Sequence, residues 1–307
     1  MNILKFKQCS YENKNLVGGK CSSLGELYKL SQLLNFNIAD GFALTTLLYD
    51  KFIEQNNLQK LIKEILNKID YNNIKNIENE SKILIESIIN GTFNESQETE
   101  IIESYKELCN NYNNNNLEVA IRSSAIAEDM PNASFAGQQD TFLNVQGIDN
   151  LLDKIKECFA SLFTSRAISY RKTHNIGIDQ LLMSVGIQKM VRSDIGSSGV
   201  AFSLDPESGY DKAIVINSVF GLGELLVSGK VRPDEFILDK RALFDREKDP
   251  IIKIQNGSKN TKIVYGNNDI IEVETNQFEK ESFSLKNSDV IKLGRTILKL
   301  EEEYKKI

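Results

Sequence analysis

Two cationic side chains, far apart in the chain but each set among small residues, are the first candidates for chemistry: Lys20, which follows Gly18 and Gly19, and Arg122, which precedes Ser123 and Ser124. A guanidinium presents a planar fork of donors that grips phosphate oxygens in pairs, and serine hydroxyls add neutral donors beside it. Gly137, in Ala136-Gly137-Gln138, leaves room for backbone N–H groups to approach an anion closely. Near Lys20 the apolar residues Leu24, Leu27, Tyr28 and Leu34 recur at helical spacing, so a helix begins close to the lysine and sets its free N–H groups beside a cation. The stretch at Arg122 reads as a phosphate site and the helix start at Lys20 as an anion site. Taken singly, each also has a plainer reading: a serine-rich hairpin with one surface arginine, and a surface lysine after a turn.

A third candidate is Glu224, which follows the strand-like run Ala213–Phe220 and the turn Gly221-Leu222-Gly223. Strand, glycine turn and carboxylate suit a nucleotide-facing loop, whereas a Rossmann site is disfavoured because the third glycine and a βαβ repeat are missing. The single histidine, His174, sits beside Arg171 and Lys172 just before Gly177, where a helix is expected to close, and reads as a surface or capping residue rather than a catalyst. Cys9, Cys21, Cys109 and Cys158 form no Cys-x-x-Cys pair, so reduced thiols are expected rather than a disulfide framework or a zinc site.

These residues need elements to hold them. The β-branched run Val119-Ala120-Ile121 predicts a strand that delivers Arg122, and the alternation of Thr141–Val145 predicts a second strand after a loop. Met183–Val191 predicts a strand that carries Gln188, and with Val200–Leu204 it reads from the residues alone as a β-hairpin. Between Leu58 and Tyr112 the stripes Leu58, Leu61, Ile62, Ile65, Leu66, Ile69, then Ile83, Leu84, Ile88, then Ile101, Ile102, Tyr105, Leu108 predict packing helices. Asn150 is placed to cap one helix that runs through Leu151, Ile155, Phe159 and Phe163 to the neighbourhood of His174 and buttresses the sheet carrying Arg122. Short strands are expected from Lys253 to Thr275, then a closing helix from Asp289 to Tyr304 with Val290, Leu293, Ile297, Leu300 and Tyr304 inward.

Composition sets bounds on partners. A net charge of −6 and a pI near 5.2 argue against nucleic acid held by a general basic field, while leaving room for a local cationic pocket. No apolar stretch is long enough to span a bilayer and the first residues lack a signal-type apolar core, so no membrane partner and a cytoplasmic location are expected. A hydrophobic fraction of 41% with 26% charged residues suits a globular chain of more than one lobe.

The run Leu117–Val145, LEVAIRSSAIAEDMPNASFAGQQDTFLNV, resembles the segment R-S-S-A-T-A-E-D-x-P-x-A-S-F-A-G-Q-Q-x-T-x-L-N-V of the N-terminal ATP-binding domain of the phosphoenolpyruvate synthases, with Ile126 in place of the usual Thr. Related domains occur in rifampicin phosphotransferase and, more distantly, pyruvate phosphate dikinase. Val17-Gly18-Gly19-Lys20, Asp40–Thr46 (with Ala39 for a proline), Gln188-Lys189-Met190-Val191, Gly221–Glu224 and Pro233–Phe236 extend the resemblance over Leu16 to Tyr304, with 53–116 similar in pattern only. The resemblance implies an α+β, ATP-grasp-like two-lobed nucleotide-binding domain of the pyruvate phosphate dikinase and synthase N-terminal type: a first lobe, 1–187, holding the helical segment 53–116 and the phosphate-binding segment 117–145, and a second lobe, 188–307, incomplete at its C-terminal end.

By the same resemblance, Lys20 and Arg122 contact ATP phosphates as catalytic groups, Gly137 and Thr141 line the phosphate segment, and Gln188, Met190 and Val191 meet adenine. Glu224 meets ribose or phosphate. The reaction implied is ATP, pyruvate and water to phosphoenolpyruvate, AMP and phosphate, through a phosphohistidine on a swivelling domain that serves a pyruvate-binding barrel. Those partner domains, and the Mg2+ ligands, are expected beyond Ile307, so no metal ligand is assigned here and the chain alone is expected not to complete the reaction. The alternatives are the ATP domain of an antibiotic phosphotransferase and a non-catalytic nucleotide-binding module.

Overall fold

The computed structural model describes residues 1–126, 129–130, 133–134, 141–177, 181–245, 248–267 and 269–305; the expectation at Gly137 lies outside them. The chain divides into two compact units, Met1–Gln32 with Asn37–Met190, and Leu33–Phe36 with Val191–Ile307. Both mix helices with antiparallel sheet.

The first unit runs β1 (Ile3–Lys5), α1 (Lys14–Leu34), β2 (Gly41–Leu44), α2 (Thr46–Gln55), α3 (Leu58–Lys68), α4 (Ile74–Ile89), α5 (Glu95–Asn111) and β3 (Val119–Ala125). The two-residue strands β4 (Asp129–Met130) and β5 (Ala133–Ser134) follow, then β6 (Thr141–Val145), α6 (Ile148–Ala160), α7 (Ser165–Thr173) and β7 (Met183–Lys189). Its sheet has the order β1-β2-β7-β3-β6, with every neighbouring pair antiparallel.

Side chains alternate across a strand, so the register assigns each residue a face. Ile121 pairs with Ile187, and Ile187 with Phe42. These residues, with Val119, Val185 and Leu44, join the helical layer in one continuous core. The opposite face is built from Ala43 with Phe6, Cys9, and the α1 residues Val17 and Cys21. Arg122 opposite Gly186, and Gln188 opposite Ala120 and Gly41, belong to that second face.

The helical layer forms as its apolar periods require. Leu58, Ile62, Ile65, Leu66, Leu84, Ile88, Ile101, Tyr105 and Leu108 are buried, while Ile83, expected inward, is 45% exposed. The helix predicted from Asn150 begins instead at Ile148 after Gly147 (φ 82°) and stops at Ala160. Ser161–Phe163 forms a tight turn, and Thr164 caps α7 by accepting the Ala167 N–H at 3.2 Å. A threonine hydroxyl that bonds the backbone ahead of it favours a new start over continuation of the helix. Asn175 (φ 53°), rather than Gly177, supplies the left-handed residue beyond the end of α7.

The second unit contains β8 (Ser197–Phe202), β9 (Ala213–Phe220), α8 (Glu224–Val227), β10 (Asp234–Asp239), α9 (Lys240–Phe244) and β11 (Ile251–Gln255). The hairpin β12 (Thr261–Tyr265) and β13 (Ile270–Glu274) follows, then α10 (Gln277–Glu281) and α11 (Asn287–Tyr304). Its main sheet has the order β11-β10-β9-β8. Ile214, Ile216, Phe236 and Leu238 pack there against Leu243, Val290 and Leu298. The buried stripe of α11 is thus Val290, Gly294 and Leu298, and Leu293 is 37% exposed rather than inward. Because β8 pairs with β9 and β7 with β2 and β3, the segments 183–191 and 200–204 are not a hairpin but belong to different sheets.

One buried polar knot ties the second unit. Asp234, at the start of β10, accepts hydrogen bonds from the Gly257 N–H (2.9 Å), from Lys259 Nζ (2.5 Å), and from both the N–H and hydroxyl of Ser284 (2.7 Å each). Lys259 is 1% exposed and also donates to the Asn256 side chain and the Gly257 carbonyl. All four described cysteines are free and buried. Among the described residues, no helix is long and apolar enough to cross a membrane.

Candidate functional site

The lysine candidate is held by an interruption in its own helix. Gly18 takes φ 71° and ψ 171°, so α1 breaks there and starts afresh immediately before Lys20. That backbone conformation favours glycine, and a Cβ at this position would lie 2.1 Å from the Ser124 carbonyl oxygen. The break leaves backbone groups open, and the buried Ser124 satisfies two of them. Its hydroxyl donates to the Val17 carbonyl (2.9 Å) and accepts the Cys21 N–H (3.3 Å). Lys20 Nζ in turn donates to the Ser123 carbonyl at 3.1 Å. The two candidate stretches, 103 residues apart, are therefore bonded to each other directly. Ser124, expected to offer its hydroxyl to phosphate, instead holds the α1 break closed.

Arg122 is the exposed position of β3, between buried neighbours on both sides. It lies on the α1 face of the sheet, and Lys20, Arg122 and Gln188 line one cavity of about 220 Å3, together with Phe6, Cys21, Ser23, Leu24, Leu27 and Gly186. Gly186, directly across the ladder from Arg122, makes this approach possible, since a Cβ there would come within 2.9 Å of Cys21 Sγ. The protein packed around the Arg122 guanidinium lowers its pKa, and the described residues give it no carboxylate partner. The Cys21 thiol is pushed up to about 11 by burial, against the opposing pull of neighbouring hydroxyls and of the Lys20 and Arg122 charges. Two cations on one small cavity favour an anionic occupant. The volume is below the roughly 300–1,000 Å3 of sites that enclose a whole small molecule, so it suits part of a ligand, such as a phosphate group.

The other predicted residues are distributed as follows. Thr141 is paired with Arg122 across β3 and β6 and is exposed. The Gln188 side-chain amide donates to the Ala39 carbonyl (3.2 Å). The Lys189 and Met190 N–H groups donate to the carbonyls of Asp40 and Glu118 (2.9 Å each), so these two backbone donors are already engaged. Met190 is buried; Val191, 61% exposed, belongs to the second unit. Glu224, also in the second unit, is exposed and opens α8. The turn before it is fixed by Gly221 (φ 78°), by the Ser198 hydroxyl donating to the Gly221 carbonyl (2.7 Å), and by the Leu222 N–H donating to the Ile263 carbonyl (2.9 Å). His174 ends α7 and stacks on Tyr170, with ring centroids 4.1 Å apart. Among the described residues, no group of three or more His, Cys, Asp or Glu side chains is placed to hold a metal ion.

Sequence reasoning missed the structural work of Ser124 and Gly186. The first reads the same whether its hydroxyl serves phosphate or backbone. The second carries a signal, a glycine inside a strand pattern, which marks close approach of another chain segment.

An α+β chain with two cations on one small cavity has the makings of an anion site. Residues 14–307 match the family model described as pyruvate phosphate dikinase, AMP/ATP-binding domain, and the chain belongs to that family. Among curated proteins, it is 42% identical over 311 residues to a phosphoenolpyruvate synthase of Helicobacter pylori, covering 100% of this chain and 38% of that protein. It is 40% identical over 306 residues to one of Aquifex aeolicus, covering 99% of this chain and 36% of the relative. A phosphoenolpyruvate synthase of Escherichia coli is 38% identical over 307 residues, covering 98% and 38%. The chain thus spans somewhat more than a third of the length of these relatives.

Proposed function

We propose that the chain is the ATP-binding, phosphoryl-donating part of a phosphoenolpyruvate synthase, built as an ATP-grasp-like domain with 1–187 and 188–307 as its lobes. The observation that carries this reading is the convergence of Lys20, Arg122 and Gln188 on one cavity. Phosphoryl transfer spreads negative charge over the moving group, so catalysis rests on positioning and on charge placed where it develops. Lys20, held against Ser123, and Arg122, fixed on β3, would meet the phosphates. Thr141 and Gly137 would border the phosphates, Gln188, Met190 and Val191 adenine, and Glu224 ribose or phosphate.

Magnesium would neutralise further charge on ATP. Its ligands are assigned to the part of the longer relatives that this chain does not cover. The phosphocarrier histidine and the pyruvate-binding barrel are assigned there too. In that scheme ATP, pyruvate and water give phosphoenolpyruvate, AMP and phosphate in the cytoplasm: one phosphoryl group of ATP is carried to pyruvate by the histidine, and water takes up the other as phosphate. The named relatives favour the synthase over an antibiotic phosphotransferase.

Calorimetry with ATP and magnesium tests the proposal. Saturable binding is expected, weakened about tenfold to a hundredfold by Arg122→Ala with an unchanged circular dichroism spectrum. Supplied with pyruvate as well, the chain is expected to form no phosphoenolpyruvate. Unchanged affinity in the variant would remove Arg122 from the site, and turnover by this chain would overturn the proposed division of labour.

A further inference from the structure

The segment leading into β8 holds a polar arrangement to which the nucleotide reading gives no role. Arg192 precedes the tight turn Ser193–Ile195, and Asp194 lies within it. The guanidinium grips the carboxylate with two parallel bonds, Nε to Oδ1 at 2.8 Å and Nη2 to Oδ2 at 2.7 Å. Its Cζ lies 5.0 Å from the ring centroid of Tyr265, the last residue of β12. The Asp194 side chain is 7% exposed. The hydrogen bonds from Arg192 hold its carboxyl below the ordinary carboxylate value, against the pull of burial and with help from the Asp194 and Ile195 N–H groups.

This pair connects two supports of one turn. Gly221-Leu222-Gly223, which leads directly into Glu224, is held from the Asp194 side by the Gly196 carbonyl, which accepts the Gly221 N–H (3.1 Å), and by the Ser198 hydroxyl, which donates to the Gly221 carbonyl (2.7 Å). From the Tyr265 side it is held by the Ile263 carbonyl of β12, which accepts the Leu222 N–H (2.9 Å). A Cβ at Gly221 would lie 2.4 Å from that same Ile263 oxygen, so the turn and β12 approach closely. Arg192 joins the two supports, bonded within the first and stacked on the second. An ion pair with an exposed member adds little to stability, whereas a two-pronged bond fixes direction as well as distance. We propose that Arg192 and Asp194 are positioning residues for nucleotide binding, acting through the turn Gly221–Gly223 to set where the Glu224 carboxylate stands. The inference rests on the reading of Glu224 as a contact to ATP.

The test is ATP calorimetry with magnesium on the 307-residue chain carrying Arg192→Lys, Glu224→Gln or both, with urea unfolding alongside. Arg192→Lys keeps the positive charge and loses the fork. It is expected to raise the Kd for ATP about fivefold with an unchanged urea midpoint. Beside Glu224→Gln the same change is expected to shift Kd by less than about twofold, because the carboxylate it positions is gone. Asp194→Asn, which breaks the fork from the other end, is expected to reproduce the effect of Arg192→Lys. An Arg192→Lys chain that binds ATP as the parent does, a loss that persists undiminished beside Glu224→Gln, or Glu224→Gln with the parent's affinity would overturn the proposal. A parent chain that binds no ATP would remove both the proposal and the nucleotide reading beneath it, which sets that failure apart from the other three.

Discussion

At the scale of single residues, the position of Lys20 depends on a hydroxyl and a missing side chain. Ser124→Ala leaves the Val17 carbonyl and the Cys21 N–H without their partner. Chemical denaturation is expected to show a loss of about 1–3 kcal/mol, and ATP titration a weaker affinity, because the α1 break no longer holds its shape. Retained affinity in a destabilised variant would show that Ser124 serves the fold alone. The buried thiols nearby give a pH signature. Burial raises Cys9 to about 12 and Cys21 to about 11 from the ordinary 9.0, so the folded chain holds these protons more tightly than the unfolded one. Their contribution is intact below pH 9.0 and falls as the pH climbs from there toward 11, because only the unfolded state gains by ionising. The denaturation midpoint is expected to drop over that window less steeply in Cys21→Ala than in the parent chain; equal slopes would remove Cys21 as the cause. Lys20 and Arg122 were legible because cations among glycines and serines stand out. Ser124 was not, since a serine's bonding partner leaves no mark on its neighbours in sequence.

At the scale of elements, alternation and helical period identified strands and helices well and identified their partners poorly. Period two tells which face of a strand is buried but not which strand lies beside it, and so Met183–Val191 and Val200–Leu204 read from the residues alone as one hairpin although their strands belong to different sheets. The break between α6 and α7 was hidden because the apolar period runs on through Leu162 and Phe163 while Thr164 quietly caps a new start. The knot at Asp234 was likewise invisible, since Lys259 and Ser284 are distant in sequence and joined only by the fold. It predicts that Asp234→Asn, which strands a buried lysine, costs about 3–5 kcal/mol in urea unfolding of the chain. A companion Lys259→Met is expected to restore part of that loss in the double variant. Simple addition of the two losses would show that the pair is not coupled.

At the scale of the whole molecule, the family of the chain was legible from one long run around Arg122 and from short matches spread through both units. The physical reason is that a phosphate site needs particular donors in a particular order, whereas packing helices such as α3, α4 and α5 need only apolar residues at the right interval, so 53–116 resembled its relatives in pattern alone. The account as a whole depends on Lys20 and Arg122 acting on the same phosphates. A double-mutant cycle read by ATP calorimetry on Lys20→Ala, Arg122→Ala and the combined variant tests that most directly. Each single change is predicted to weaken ATP binding, and the combined loss to differ from the sum of the two by more than about 0.5 kcal/mol. Two losses that simply add, or a single variant that binds ATP as the parent does, would contradict it.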